Sequence, residues 1–495
     1  MTDTILVWLD GPYSYTHFGI CSALSKMGKF DFIGIVTKKQ DVSFFNKQTI
    51  VNFKKLFYYP DCYTNKSSYN NSILEEFEKK YDLNLWLDIL SERYFHKYRT
   101  DFHTFSKNEI LPIVEHSLNF FINVLQEFNP KLILMQTAGE NISNLLLYRL
   151  AKKLQIKILM TNIVHIHNKI TLSNNLISRE ISDEFQKLLS NPDSLINKHD
   201  SNIIKNQSLA ETVKVQSSYI FDTSTPFQKI KHFINRLNHD PELIYQNIGK
   251  TKLKMLKGRY YTHFKTKKRE EYLNQNLSKS ISDEKFLYFP LHTEPEAKIL
   301  ATAPFFTDQI SLIENISRSL PIDFLLYVKE HPGQQFKGWR SIQDYKRIID
   351  IPNVKLFHPS INSQELISKS QGVIAISGST AFETLFFKKP IFLFAEEYFD
   401  VVSMVKKIDD ISKLPQIIKE SIDNFEFKNN ELDIILQATE NVSITIPYFS
   451  ILKDGIILSS IQRNNPDATL KHFYNFYDNY NLDFKLLAKI INKKI

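Results

Sequence analysis

The sequence predicts an α/β protein built from two doubly wound domains, and three observations lead to that fold class. At 495 residues the chain is longer than one hydrophobic core usually supports. Both halves alternate short apolar runs with amphipathic helical patterns, as parallel sheets covered by helices do. Polar loops follow the apolar runs at the carboxyl ends of the predicted strands, where such sheets bind ligands.

The first half begins with a strand–helix–strand unit and resumes the same alternation after a helical, aromatic-rich insertion. Its predicted elements are the strand 4–9, the loop 10–15, the helix 16–26, the strand 30–36, the insertion 72–128, the strand 131–135, the loop 136–141, the helix 142–154 and the strand 157–160. We assign residues 1–190 to this first domain.

The second half repeats the pattern with fewer interruptions. Its predicted elements are the strand 286–291, the helix 307–320, the strands 324–328 and 354–357, the helix 362–370, the strand 372–376, the helix 381–389 and the strand 391–394. We assign residues 285–424 to the second domain and residues 425–495 to a C-terminal helical segment. Residues 191–284 form a basic helical connector between the domains.

The loop after strand 372–376 is one predicted ligand site. Its residues are Ser377, Gly378, Ser379 and Thr380, with Glu383 one turn into the next helix. The unpaired N–H groups and the positive dipole end of such a helix favour an anion, and Gly378 allows close approach, so a phosphate fits the loop. The alternatives are that Ser379 or Thr380 only caps the helix and that Glu383 only complements its dipole.

A second predicted site follows the strand 324–328. Its residues are Lys329, Glu330, His331 and Pro332. Because Pro332 restricts the residue before it to extended geometry, the imidazole of His331 is fixed at the end of a strand. There it can donate to a phosphate oxygen or protonate a leaving phosphate near neutral pH.

These motifs carry a family resemblance. It rests on Tyr-Phe-Pro-Leu-His-Thr-Glu-Pro-Glu at 288–296, Tyr-Val-Lys-Glu-His-Pro at 327–332, Ser-Gly-Ser-Thr at 377–380 and Lys-Pro at 389–390. Residues 285–400 resemble bacterial capsule and surface polysaccharide biosynthesis proteins, which are glycosyltransferases of the GT-B fold. The His-Pro and Ser-rich motifs are also similar to those of bacterial sialyltransferases and Kdo transferases. The resemblance implies two Rossmann-like domains facing a central cleft, with helical insertions and C-terminal helices.

The resemblance also implies a donor site, because both motifs hold the nucleotide donor in those families. Carried over, His331 contacts the donor phosphate or assists its departure, beside Lys329 and Pro332. The loop residues Ser377, Gly378, Ser379 and Thr380 bind phosphate, and Glu383 accepts from the ribose hydroxyls. The second domain is then the donor domain, and the first domain holds the acceptor.

Two carboxylates of the first domain are candidate bases for the acceptor hydroxyl. Asp10 and Glu140 both follow predicted strands, and the reaction requires a group that takes a proton from that hydroxyl. The alternatives are that Asp10 stabilises its turn and that Glu140 caps the next helix.

The sequence argues against cofactor and metal chemistry. It has neither the spaced glycines of a dinucleotide fingerprint nor a Walker lysine, so we expect no cofactor besides the nucleotide-sugar substrate. His165 and His167 could form half of a metal site, but no third ligand has convincing spacing, and a polar cleft wall is the preferred interpretation. We therefore predict metal-independent catalysis.

The connector carries most of the positive charge of the chain. Residues 227–280 contain thirteen basic and four acidic residues, a net +9 against +8 for the whole chain, with Tyr260, Tyr261 and Phe264 among them. Such a segment suits an anionic membrane surface, where lipid-linked acceptors are found. A solvated interdomain helix is the main alternative. Nucleic-acid binding is disfavoured, because no recognised binding module accompanies the charge.

The expected function is a glycosyltransferase that moves a sugar from a nucleotide-activated donor, with CMP among the candidate nucleotides, to a surface or capsular glycan. The alternatives are a polyol-phosphate transferase, a nucleotide-sugar 2-epimerase and a non-catalytic nucleotide-sugar or glycan-binding scaffold.

The start of the chain lacks the pattern of a secretory signal, and two cysteines in 495 residues suit a reducing compartment. We expect a cytoplasmic protein, with a place at the inner face of the cell membrane.

Overall fold

The computed structural model describes residues 2–11, 13–95, 102–166, 168–191, 244–464 and 469–495. Within them the strands form two sheets with helices on both faces, which confirms the predicted class of two Rossmann-like domains. The strands are β1 (Asp3–Leu9), β2 (Phe30–Val36), β3 (Phe53–Tyr58), β4 (Leu132–Gln136), β5 (Lys157–Ile163), β6 (Lys169–Ser173), β7 (Phe286–Pro290), β8 (Leu325–Lys329), β9 (Val354–Phe357), β10 (Gly372–Ala375), β11 (Ile391–Leu393), β12 (Val405–Lys407) and β13 (Ile444–Thr445).

The helices of the described residues include the predicted ones and several that were not predicted, and the long insertion of the first domain divides into three of them. They are α1 (Tyr13–Ser25), α2 (Lys39–Lys47), α3 (Asn71–Tyr81), α4 (Leu85–Ser91), α5 (Lys107–Phe128), α6 (Ile142–Lys153), α7 (Arg179–Ser190), α8 (Lys252–Asn276), α9 (Ala297–Thr302), α10 (Gln309–Arg318), α11 (Ile342–Ile349), α12 (Ser363–Lys369), α13 (Ser379–Leu385), α14 (Leu414–Asp423), α15 (Asn429–Val442), α16 (Tyr448–Asn464), α17 (Thr469–Asn479) and α18 (Asn481–Lys494).

Both sheets have the strand order of a doubly wound fold. In the first, β3, β2, β1, β4 and β5 are parallel neighbours, and β6 and β13 extend the sheet antiparallel. In the second, β9, β8, β7, β10, β11 and β12 are all parallel. The order reverses between β1 and β4 and between β7 and β10. A crevice for a ligand opens at such a point, at the carboxyl edge of the sheet.

Strands that are apolar on both faces explain why helices cover both sides of each sheet. In β1, Leu6 and Trp8 belong to one buried cluster, while Ile5, Val7 and Leu9 belong to the cluster on the opposite face. The second sheet has the same arrangement, with separate hydrophobic clusters on its two faces. Each sheet therefore forms the centre of its own three-layer domain.

The C-terminal helices return to the first domain. Residues of α16, α17 and α18 complete the hydrophobic cluster that also contains α1. The contact is close, because a Cβ on Gly19 would lie 2.7 Å from the ring of Phe484. Conversely, α7 follows the first sheet in sequence but packs against the second, because its Ile181 and Phe185 belong to a hydrophobic cluster of the second sheet. No helix in the described part of the chain is long and apolar enough to cross a bilayer.

The carboxyl edges of the two sheets meet. A Cβ on Gly139, in the loop after β4, would lie 2.6 Å from the Cβ of Ala301 in α9. Farther along the edge, Nε2 of His165, after β5, lies 3.9 Å from the carboxylate of Glu397, after β11. The loops after the strands of one domain thus oppose those of the other across a cleft.

Candidate functional site

The His-Pro loop leaves β8 at the carboxyl edge of the second sheet. The backbone of His331 is extended, and the short 3-10 helix Pro332–Lys337 follows it. The N–H of Gly333 donates to Nδ1 of His331 at 3.0 Å, so Nε2 carries the proton of the neutral ring. Burial, followed by the effect of the neighbouring His292, lowers the pKa of His331 to about 4. The imidazole is therefore a neutral hydrogen-bond donor through Nε2.

A buried ion-pair network holds this loop in place. The side chain of Glu330 is fully buried, and its carboxylate accepts three hydrogen bonds. The donors are Nε of Arg340 at 3.0 Å, the hydroxyl of Tyr345 at 2.8 Å and the backbone N–H of His331 at 2.6 Å. Arg340 also donates to the carboxylate of Glu294 and to the carbonyl of His292. The network thereby ties the loop after β7 to the loop after β8.

Lys329 and Glu383 form an electrostatic pair beside this loop. The ammonium of Lys329 donates to the hydroxyl of Ser363 at 2.8 Å. Burial lowers the pKa of Lys329 to about 8, and the nearby Glu383 opposes that change. Burial also raises the pKa of Glu383 to about 7, with Lys329 acting in the other direction. Both groups titrate near neutral pH, as groups at functional sites often do.

The Ser-rich loop starts α13 directly after β10. The N-cap residue is Gly378, whose φ of 105° favours glycine, so neither Ser379 nor Thr380 is the cap. The Ser377 hydroxyl donates to the carboxylate of Glu397 at 2.5 Å, and the N–H of Gly378 donates to the same oxygen at 3.0 Å. Two donors that the sequence assigns to a phosphate thus bind a carboxylate of the protein. Phosphate binding by the four loop residues stays a prediction.

Glu397 connects the Ser-rich loop to both sides of the cleft. Its side chain is 3% exposed, and Nζ of Lys298 in α9 lies 2.6 Å from its carboxylate. Burial would raise the pKa of Glu397, but the charges of Lys298 and His165 together with its hydrogen bonds lower it to about 2. The loop therefore contacts a permanent negative charge at neutral pH.

His165 forms part of the cleft wall. Its backbone N–H donates to the hydroxyl of Tyr398, and its ring stacks on the same tyrosine. Burial lowers the pKa of His165 to about 4. His167 lies outside the described residues. Among those that are described, no group of three or more His, Cys, Asp or Glu side chains could hold a metal ion.

Asp10 joins three strand ends of the first sheet. Its side chain is buried and accepts from donors that include three described side chains. They are the hydroxyl of Thr37 at 2.6 Å, Nε2 of Gln136 at 3.0 Å and Nδ2 of Asn141 at 3.2 Å. The alternative role of Asp10 was to stabilise its own turn, but these donors lie on other segments of the chain. With this many fixed donors, Asp10 is better suited to holding the edge of the sheet together than to accepting a proton.

Glu140 is the more accessible of the two predicted bases. The helix-cap alternative for Glu140 is wrong, because Asn141 caps α6 by accepting from the N–H of Asn144 at 3.0 Å. The side chain of Glu140 is 46% exposed and lies 3.4 Å from the guanidinium of Arg93. Desolvation raises the pKa of Glu140 although Arg93 opposes it, and the charge of Asp10 adds to the rise.

Across the cleft from Glu140 lies a histidine–glutamate pair that we did not single out from the sequence. Nδ1 of His292, in the loop after β7, is 3.1 Å from the carboxylate of Glu296 at the start of α9. The negative charge of Glu296 contributes to the raised pKa of Glu140, so the two carboxylates are within electrostatic reach. The sequence feature that could have indicated this pair is a His and a Glu four residues apart at the end of a predicted strand.

The comparisons with known proteins support the resemblance. Residues 191–411, less than half of the chain, match the family model described as capsule polysaccharide biosynthesis protein. This region contains the motifs of the second domain, so the resemblance drawn from them is confirmed. The match supports the expected glycosyltransferase class as well. No curated protein matches the chain.

Solved structures give only distant similarities. A UDP-GlcNAc 2-epimerase from Methanocaldococcus jannaschii is 16% identical with a TM-score of 0.24, over 87% of this chain and 95% of that one. The KpsC β-Kdo 2,7 transferase of Thermosulfurimonas dismutans is 10% identical with a TM-score of 0.32, over 72% and 87%. Its β-Kdo 2,4 transferase is 9% identical with a TM-score of 0.34, over 66% and 88%. TM-scores below 0.5 add no support for the function.

Proposed function

We propose that this chain, whose residues 191–411 match capsule polysaccharide biosynthesis proteins, is a GT-B glycosyltransferase. It moves a sugar from a nucleotide-activated donor to a surface or capsular glycan. The observation that carries the proposal is the meeting of the His-Pro loop, the Ser-rich loop and Glu140 at two opposed carboxyl edges. Such an arrangement suits a donor on one side of the cleft and an acceptor on the other, which supports the proposal.

The donor lies against the second domain. Nε2–H of His331 donates to a phosphate oxygen, and the start of α13 provides the N–H and hydroxyl groups of Ser379 and Thr380. Lys329 supplies positive charge, and Glu383 accepts from the ribose hydroxyls. Because Ser377 and Gly378 donate to the carboxylate of Glu397, they hold the loop in shape beside the phosphate.

The acceptor lies against the first domain. Glu140 takes the proton of the acceptor hydroxyl, since its carboxylate is open to the cleft and its raised pKa makes it a better base than an ordinary glutamate. Asp10 fixes the strand ends beside it. The two domains exclude water from the reacting atoms and so limit hydrolysis of the donor.

Nucleotide binding tests the donor site. In a thermal-shift screen against CMP, UDP, GDP and CDP, we expect one nucleotide to raise the melting temperature of the intact chain, because a ligand at one hundred times its Kd stabilises by about 2.7 kcal/mol. The double variant His331→Ala/Ser379→Ala should lose this shift. The matched variant His116→Ala, in α5 of the first domain, should keep it.

The outcome also separates the alternatives. Transfer of the sugar to a glycan from the stabilising nucleotide supports the proposal. Epimer formation would indicate a 2-epimerase. Transfer of a polyol phosphate would indicate a polyol-phosphate transferase, and nucleotide binding without turnover would indicate a scaffold. An unchanged nucleotide shift in the double variant would show that the donor site is wrongly placed.

We also propose that α8 contacts the anionic inner face of the cell membrane. The C-terminal end of α8 is anchored, since Arg269 donates to the carbonyl of Gly338 at 2.8 Å and Leu273 is fully buried. The rest exposes apolar side chains, which are Leu253, Leu256, Tyr260, Tyr261 and Phe264. Exposed Lys252, Lys254 and Lys257 lie among them. Residues 227–243 of the predicted membrane segment lie outside the described residues.

Vesicle sedimentation tests this contact. We expect the chain to bind vesicles of equal parts phosphatidylglycerol and phosphatidylcholine, and to bind pure phosphatidylcholine weakly, because lysines near an anionic surface contribute about 1 kcal/mol each. Lys254→Glu/Lys257→Glu should reduce binding strongly. Lys419→Glu/Lys489→Glu, with the same charge change at exposed sites of α14 and α18, should not. Equal losses in both variants would indicate a general charge effect and no membrane face on α8.

A further inference from the structure

The loop after β7 holds one histidine in an unusually constrained position. The backbone of His292 is fixed from both sides, since its N–H donates to Oε1 of Gln309 at 2.7 Å and its carbonyl accepts from Arg340. The ring is fixed by the carboxylate of Glu296, 3.1 Å from Nδ1. Because a carboxylate only accepts, Nδ1 carries a proton. The buried Nε2 has no hydrogen-bond partner among the described residues.

The position of this ring is at the switch point of the second sheet. β7 and β10 are the neighbours between which the strand order reverses, and His292 and the Ser-rich loop follow them. The two are close, because a Cβ on Gly378 would lie 3.3 Å from Cε1 of His292. The free nitrogen of His292 is therefore beside the loop to which the proposed function assigns the donor phosphate.

The two imidazoles of the site differ in what surrounds them. Nδ1 of His331 accepts from a backbone N–H, and no carboxylate among the described residues is hydrogen-bonded to the ring. A proton on Nδ1 would therefore turn the acceptor that faces the N–H of Gly333 into a second donor. Nδ1 of His292 already donates to a carboxylate, so the ring can gain a proton on Nε2 without losing a contact. Glu296 therefore contacts the ring of His292 directly, whereas it acts on His331 only through its charge, without a hydrogen bond.

We propose that His292 is the catalytic residue that protonates the departing phosphate, and that Glu296 is its positioning residue. His331 then supplies only a neutral hydrogen bond. This inference rests on the proposed function. The bond between the sugar carbon and the phosphate oxygen breaks with its electron pair going to that oxygen, which takes the proton of His292 Nε2. The acceptor oxygen forms the new bond to carbon, and its proton goes to Glu140. Afterwards Glu140 releases its proton to water and His292 regains one from water, so both groups return to their starting states.

Nitrogen-15 NMR of the histidine rings in the intact chain tests the proposal, with CMP and UDP as probes for the departing phosphate. The variants His292→Gln and His331→Gln assign the two signals. On addition of the nucleotide that stabilises the chain, the His292 ring should become an imidazolium at neutral pH while His331 stays neutral. Among the described residues, the charged or titratable groups that interact with His292 are Glu296, His331 and Arg340. Glu296→Gln should abolish the protonation of His292, because an amide keeps the hydrogen bond without the charge.

Turnover provides a second readout. His292→Gln can still hydrogen-bond but cannot transfer a proton, so kcat should fall by about 10²–10⁴-fold while nucleotide binding is retained. A neutral His292 in the bound state, or protonation of His331 instead, overturns the inference and leaves the proposed function standing. If neither CMP nor UDP shifts the melting temperature or any histidine signal while GDP or CDP does, that nucleotide replaces them as the probe. If all four fail, the proposed function and this inference fail together.

Discussion

Replacing Arg340 with methionine should lower the free energy of unfolding by about 3–5 kcal/mol, because it leaves a buried carboxylate without its counter-charge. Glu330 is fully buried, and the guanidinium of Arg340 is 3% exposed and 3.0 Å away. Methionine keeps much of the volume of the arginine stem, so the loss measures charge and hydrogen bonds. Urea denaturation of the purified chain, followed by a probe in each domain, gives the change.

The matched control is Arg347→Met in α11. Arg347 lies 3.0 Å from Glu314, but the two side chains are 44% and 30% exposed, and pairs that are open to solvent contribute about 0–1 kcal/mol. Adding Glu330→Gln to Arg340→Met should recover part of the loss, since the unpaired charge is then gone. Equal effects of Arg340→Met and Arg347→Met would mean that the network does not stabilise the second domain.

The same network explains why part of the site could not be predicted. His331 and Ser377 were found because they follow uninterrupted apolar strands, and in a parallel sheet every such strand end lies on one edge. Arg340 is ten residues beyond Glu330 with a 3-10 helix between them, and nothing in that spacing indicates a pair. Their contact depends on how the chain after β8 folds back over the edge.

Glu397 shows the same limit for the Ser-rich loop. The sequence shows three hydroxyl residues around a glycine, which suits a phosphate, but not that a carboxylate twenty residues later accepts from Ser377 and Gly378. Likewise β6 and β13, the two short antiparallel strands at one end of the first sheet, were missed, because strands this short leave little periodicity. Local patterns thus predict elements and edges, while partners across an edge are set by tertiary packing.

Glu140→Gln should reduce sugar transfer on the order of 10²–10⁴-fold, because an amide cannot take the proton of the acceptor hydroxyl. Donor binding should be unchanged, since Glu140 is on the first domain and the donor is assigned to the second. The variant should not be less stable at neutral pH. Desolvation raises the pKa of Glu140, which means that the fold disfavours its ionised form, and glutamine removes that cost.

The pH profile of the unmodified chain tests the same assignment. A general base works only when ionised, so the rate should fall as the pH falls through the pKa of Glu140. Because that pKa is raised, the fall should begin above the pH at which an ordinary glutamate, with a pKa of about 4.3, would cause it. The inflection should disappear in Glu140→Gln, whose residual rate does not depend on this group.

Two comparisons separate a base from a structural carboxylate. Glu127→Gln changes an exposed glutamate of α5 and should leave turnover and stability unchanged. Asp10→Asn should instead lower the stability by about 1–3 kcal/mol, because its amide nitrogen would face a fixed donor. Its turnover, measured well below the melting temperature, should fall less than that of Glu140→Gln. If Asp10→Asn abolishes transfer while Glu140→Gln retains it, the base is Asp10, and the three donors around it hold the carboxylate in position for catalysis.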